Sequence, residues 1–227
     1  MKNQFFGDNR DLLKFDLVYE IAKSGLVDRF TYIPMLTEDE PQEEEPHFCR
    51  HEATGGAENQ ALLNFLDNTV IQEKRDIRQL NEFLQESGIK ADIYSEDRFY
   101  TLAERRTYFD GIGKELLTGS LILIDPDKGL EECVNDDGNL MYTDLKNIYE
   151  RMDENSCLMF TQRFPYEMYG EYLEMRCEEI QDMIPGARPV SLDDLDSIIF
   201  FLTRSKTLES RLLQFLGDYT KKYFTKG

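Results

Sequence analysis

Cysteine is scarce in this chain. Cys49, Cys133, Cys157 and Cys177 lie far apart and form no CxxC pair. This argues against a disulfide framework and for thiols kept reduced in the cytosol. Basic residues are also few, 26 against 45 acids, giving a net charge of −19. Such a field repels phosphate backbones, so duplex nucleic acid is disfavoured as a partner. The basic exception is the stretch 203–227, with six Lys or Arg against Glu209 and Asp218. It reads as a solvated terminal helix with its cations near the end. Long apolar runs are missing too. LILI (121–124) and SIIFFL (197–202) are strand-sized, far short of the roughly 20 residues a membrane span requires. The opening MKNQFFGDNRD reaches charge at once, with no apolar leader core. A cytoplasmic protein without membrane contact is expected.

What is present fits one α/β domain over 1–227: 41% of residues are hydrophobic, enough for one sizeable core. Asp8 opens a helical pattern through Leu12, Leu13, Phe15, Leu17, Val18 and Ile21. Asp11 three residues on resembles a capping box made with carboxylates, and Gly25 ends the helix. RFTYIPML (29–36) is rich in strand formers. TEDEPQEEEP (37–46) carries six acids and no base, so 37–53 is expected to be a mobile acidic loop. Helices are expected near 58–67 and 69–87, a short strand at 89–94, and an interrupted helix over 102–117. SLILID (120–125) has the continuous apolar run of a strand buried on both faces, and SCLMFTQRFP (156–165) is a second. Helices are expected from YTDLKNIYERM and EMYGEYLEMRCEEIQDMI. ARPVSLD and DSIIFFLTRS read as two antiparallel strands before the terminal helix. The alternation predicts a Rossmann-like three-layer α/β sandwich, its sheet mostly parallel with an antiparallel edge pair near the C-terminus.

Two segments carry candidate chemistry. IDPDKGLEE (124–132) comes directly after the strongest strand, where ligands of open α/β sheets bind. Pro126 fixes the backbone between Asp125 and Asp127. Two held carboxylates suit a divalent cation or a division into acid and base. As plain turn chemistry, Asp127 would cap the next turn and Lys128-Gly129 would close it. In GDNRDLLKFD (7–16), Asp11, Lys14 and Val18 share a helix face with Asp8 at its start, an arrangement that could orient a substrate or a proton. The plain alternative is an N-cap, a helix-dipole carboxylate and a surface lysine.

HFCRH (47–51) puts His47, Cys49 and His51 on one face if extended, but at a spacing unlike common zinc sites. TGGAEN (54–59) is a weak anion cradle at a helix start.

GDNRDLLK (7–14) and LILIDPDK (121–128) together resemble class I S-adenosylmethionine-dependent methyltransferases. The pattern is similar to the bacterial large-subunit ribosomal RNA adenine-N6 enzymes, with their Gly-Asn-x-x-Asp-x-x-Lys and Leu-Ile-Leu-Ile-Asp-Pro-Pro-Tyr elements. An uncharacterised bacterial family with Gly-Asp-x-x-Asp-x-x-Lys and Asp-Pro-Asp-Asn-Gly-Leu-Glu looks closer still. The likeness is firm over about twenty residues of this chain. It implies an enzyme in which Asp125, Asp127 and Lys14 are catalytic. Asp8, Asp11 and Pro126 would face S-adenosylmethionine, and Asp125 with the Pro126 carbonyl would hold the amine of a nucleobase or small molecule. Two departures stand out: no glycine comes after RFTYIPMLTEDE until Gly55, and Asp127 and Lys128 replace the second proline and the aromatic. Two rival expectations come from the residues themselves. In one, a metal-dependent phosphodiesterase or nuclease uses Asp8, Asp11, Asp125, Asp127 and Glu131 to hold Mg²⁺ or Mn²⁺. In the other, a catalytically inactive interaction module binds a basic protein through 37–46. The partner expected in the enzyme readings is a small molecule or nucleotide.

Overall fold

A computed structural model describes residues 1–39, 55–132, 135–163, 169–193 and 197–224. Most of the expected acidic loop 37–53, and all of HFCRH, lie outside the described residues. The sheet has six strands: β1 (Arg29–Ile33), β2 (Ala91–Ile93), β3 (Ser120–Ile124), β6 (Cys157–Arg163), β7 (Val190–Asp193) and β8 (Ser197–Thr203), in the order β2-β1-β3-β6-β8-β7. Strands β2, β1, β3 and β6 run parallel, and β8 is antiparallel to both neighbours. The sheet is therefore Rossmann-like, with its reversed strand where the sequence put the antiparallel pair. Between β3 and β6 a small parallel pair, β4 (Gly129–Leu130) and β5 (Asn139–Leu140), forms a separate two-stranded sheet. Strands of two residues are too short to leave a periodic signal in the sequence.

Side-chain alternation along each strand builds two cores. Phe30, Tyr32, Leu121, Leu123, Met159 and Phe201 join one cluster with helices α1 (Asn9–Lys23), α2 (Gln60–Ile71), α3 (Arg78–Glu86) and α7 (Lys206–Phe224). Ile33, Ile122, Ile124, Leu158, Phe160 and Phe200 join the other, with α4 (Arg105–Asp110), α5 (Tyr142–Arg151) and α6 (Tyr169–Met183). Those are the three layers. The apolar strands LILI and SIIFFL are buried on both faces because each face meets helices. Among the described residues, no helix is long and apolar enough to cross a membrane.

Three boundaries differ from the sequence reading. Strand β1 stops at Ile33, since Pro34 has no N–H for the ladder and Met35 takes a φ of 42°. The predicted helix 69–87 is broken. Helix α2 runs on to Ile71 and α3 starts at Arg78, with Glu73 turning the chain at a φ of 54°. Neither glycine nor proline marks that turn, so the sequence carries no sign of the break. The capping box is also displaced by one residue. Asp8 accepts from the Arg10 and Asp11 amides as expected, but Asp11 Oδ2 accepts from the amide of Gly7 (2.7 Å), not from Asp8.

Candidate functional site at the carboxyl edge of the sheet

Register decides which helix Asp125 meets. It is two residues past Leu123, so its side chain emerges on the α1 face, while its amide still donates to the Ile33 carbonyl (3.0 Å). The neighbouring strand pairs Phe160 with Ile124, which sets Thr161 beside Asp125 on the same face. From below, Tyr32 on β1 reaches up to the same carboxylate.

The outcome is a buried charge cluster. Lys14 Nζ lies 2.6 Å from Asp125 Oδ2 and 2.5 Å from Asp11 Oδ1, with all three side chains at most 6% exposed. Tyr32 donates its hydroxyl to Asp125 Oδ2 (2.8 Å), and Thr161 donates to Oδ1 (3.2 Å). A carboxylate this deep is costly unless cations and donors surround it, and here they do. Burial alone would raise the Asp125 carboxyl, but the Lys14 ammonium, the buried Met1 ammonium and the Tyr32 hydroxyl outweigh it and hold the group below its usual range. Burial likewise works against the Lys14 charge, and the two carboxylates reverse it, so the ammonium is held more firmly than in water. Asp11 goes the other way. Burial pushes it up to about 6 in spite of Lys14, with Asp8 and Asp125 adding to the rise. Lys14 serves both carboxylates, and Asp125 has the Met1 ammonium, Tyr32 and Thr161 besides.

This cluster forms the floor of an open cleft whose lining brings together Asp8, Asp11, Lys14, Asp125, Pro126 and Asp127. All six residues expected at the site therefore meet. Their roles differ from one another. Asp8 is spent on the first amides of α1. Asp127 does not act as a turn cap: it pairs with Lys2 (3.1 Å) and stands 4.0 Å from Arg163, at the limit of an ion pair. Lys128 turns away to pair with Asp136 on the β4–β5 finger. Glu131 accepts from the Tyr142 amide (2.8 Å) at the start of α5.

For a divalent ion the arrangement is poor. Lys14 already stands between Asp11 and Asp125, where a metal bound by both would have to sit. Among the described residues, no three carboxylates, histidines or cysteines converge as an ion would need.

The turn beyond Asp125 is held from the opposite face of the sheet. Gly129 has a φ of 98°, and a Cβ there would come within 2.5 Å of the Gln162 side chain. Gln162 Oε1 accepts from the Leu130 amide (2.6 Å), and its amide donates to the Tyr172 hydroxyl (2.7 Å). Arg176 donates in turn to Tyr172 (3.1 Å) and to the Glu131 carbonyl (3.1 Å). Tyr32, Thr161, Gln162, Arg10 and Arg163 were absent from the sequence-based site. Tyr32 and Thr161 could have been found by counting alternate positions to the ends of β1 and β6. Gln162 needed the register, which no motif encodes.

No family model matches this chain, and no curated protein or solved structure matches it.

Proposed function

We propose that the protein is an enzyme that binds the amine of a small molecule or nucleotide at Asp125 and directs that nitrogen to an electrophile. The observation that carries this reading is a carboxylate held ionised within the protein, yet lining an open cleft at the carboxyl end of a central strand. Asp125 Oδ2 is committed to Lys14 and Tyr32, while Oδ1 has only the longer Thr161 bond. Oδ1 would accept one amine N–H and the Pro126 carbonyl another, which fixes the direction of the nitrogen lone pair. As the nitrogen attacks, positive charge grows on it, and a preformed carboxylate stabilises that charge without reorganising. Because Asp125 is held below the usual carboxylate range, it orients and stabilises; a weak base of this kind leaves proton removal to water or to a later step.

Resemblance names the reaction as methyl transfer from S-adenosylmethionine, which would supply an electrophilic methyl group. The residues fit the amine side of that chemistry and not the donor side. Where a glycine turn would wrap the cofactor stand Pro34, Met35 and Leu36, all buried. The backbone of this segment is committed: Leu36 O accepts from the Tyr100 amide (2.6 Å) and Ile33 O from that of Asp125. Close backbone approach to a ligand is blocked there. Calorimetric titration with S-adenosylmethionine, alongside a methyl-incorporation assay on amine-bearing nucleotides, tests the two halves separately. Absence of cofactor binding removes methyl transfer. Indifference of amine binding to Asp125→Asn removes the amine site. The same variant should lose about 1–3 kcal/mol of stability, since Lys14 and Tyr32 lose the charge they were built around.

A further inference from the structure

We infer that the cleft takes a ligand with an anionic group, a phosphate ester or a carboxylate, held at its mouth by Arg10 and Arg163. This rests on the reading of the floor as an amine site and adds the chemistry of the ligand's other end. Arg10, in the first turn of α1, and Arg163, at the end of β6, both line the cleft. Arg10 is exposed, and the Arg163 side chain is about half exposed at 52%.

With 45 acids against 26 bases, arginines here have acceptors in surplus. Among the described residues, every other arginine except Arg188, which like Arg163 has one carboxylate at 4.0 Å, has a closer carboxylate or backbone carbonyl partner, including Arg29 with Asp92, Arg105 with Asp144 and Arg151 with two carbonyls. The Arg10 guanidinium makes no hydrogen bond or ion pair among the described residues, and that of Arg163 has only Asp127, at 4.0 Å. Asp127 is already engaged by Lys2. The two guanidinium groups are near enough to repel each other, while Asp127, Asp8 and Asp125 act on Arg163 in the opposite sense, so the mouth carries cations in a protein of net charge −19 without losing its acids. The Arg10 and Asp11 amides at the start of α1 do not supply this site, because Asp8 caps them. The side chains alone remain, and paired guanidinium groups match the planar oxygens of phosphate and carboxylate.

The test is a calorimetric panel of matched ligands on the wild-type chain, on Arg10→Gln and Arg163→Gln, and on Asp125→Asn. Adenosine 5′-monophosphate, adenosine 5′-carboxylate, adenosine and inosine 5′-monophosphate vary the anion and the amine independently. The expected result is that the anionic members bind about a hundredfold tighter than adenosine, and that each arginine variant removes about tenfold of that advantage. Preference between phosphate and carboxylate then identifies the source of the anion. Equal binding of adenosine and its anionic derivatives, an advantage that survives both substitutions together, or no binding by any anionic member overturns the inference. If the anion advantage holds while Asp125→Asn leaves the preference for adenosine 5′-monophosphate over inosine 5′-monophosphate unchanged, the amine reading fails and the anion site stands. Circular dichroism on the arginine variants confirms the fold, which two solvent-facing substitutions leave intact.

Discussion

The two faces of the sheet's carboxyl edge solve the same problem in opposite ways. On the α1 face, Asp11, Lys14, Asp125 and Tyr32 bury full charges beside an open cleft. On the α6 face, Gln162, Tyr172 and Tyr142 form a mostly neutral network around Arg176, whose acidic partners are not buried: Glu179 is 39% exposed and Glu132 62%. The first cluster depends on each of its charges, because its side chains are at most 6% exposed and a partner left behind is poorly solvated. The second ends at the surface, where water replaces whatever is removed. A scaffold needs only the second kind. Keeping the first beside a cleft costs desolvation, which the proposed reading accounts for by a ligand bound against those charges.

The largest test of that contrast removes the cation from each cluster. Lys14→Met strands two buried carboxylates and should cost about 3–5 kcal/mol at neutral pH. Arg176→Met leaves solvated glutamates and lost hydrogen bonds, a cost of about 1–2 kcal/mol. Urea unfolding of both variants in one buffer gives the comparison directly. Equal losses would erase the distinction between the faces.

Next in size is the link between the faces. Gly129→Ala places a Cβ against Gln162 at a φ of 98°, and should cost about 2–4 kcal/mol from backbone strain and crowding together. Adding Gln162→Ala relieves the crowding and leaves the φ, so only part of the loss should return. Full recovery in the double variant would show that the backbone conformation is not strained.

The sheet was legible in the sequence because its strands are continuous apolar runs closed by turn residues, as in SLILID and DSIIFFLTRS. The candidate segment IDPDKGLEE stood out for a related reason: it follows such a run directly, at the edge where ligands of open sheets bind. What stayed hidden depends on register and on distant pairing. Lys14 read as readily as a surface lysine, since nothing local says that Asp125, 111 residues away, will meet it. Lys128, by contrast, looked like part of the motif, yet it serves the β4–β5 finger, an element too short to have a period. The break at Glu73 was invisible because a glutamate adopts there a conformation usually left to glycine.

The smallest expected effect concerns the proton within the charged cluster. Asp11 is pushed up to about 6 from an ordinary 3.8. The folded state thus holds a proton that the unfolded chain releases between those values. Stability from this group is complete below pH 3.8 and is lost as pH rises through about 6. Above that, the fold carries an extra buried negative charge worth about 3 kcal/mol against it in full, of which the span from pH 4 to pH 7 covers about 2 kcal/mol. Asp11→Asn keeps an acceptor for the Gly7 amide and removes the titration. Relative to wild type, the variant should therefore gain about that amount on going from pH 4 to pH 7. Some slope must persist in both proteins, because burial also pushes Asp144 up to about 6 against its Arg105 partner. Asp125, held low by Lys14, acts in the opposite sense and lends stability that is lost only as pH falls below the ordinary carboxylate range. Unfolding free energies of both proteins at pH 4, 5, 6 and 7 separate these contributions. Parallel curves would mean that Asp11 is ionised throughout, and that Lys14 neutralises both carboxylates at once.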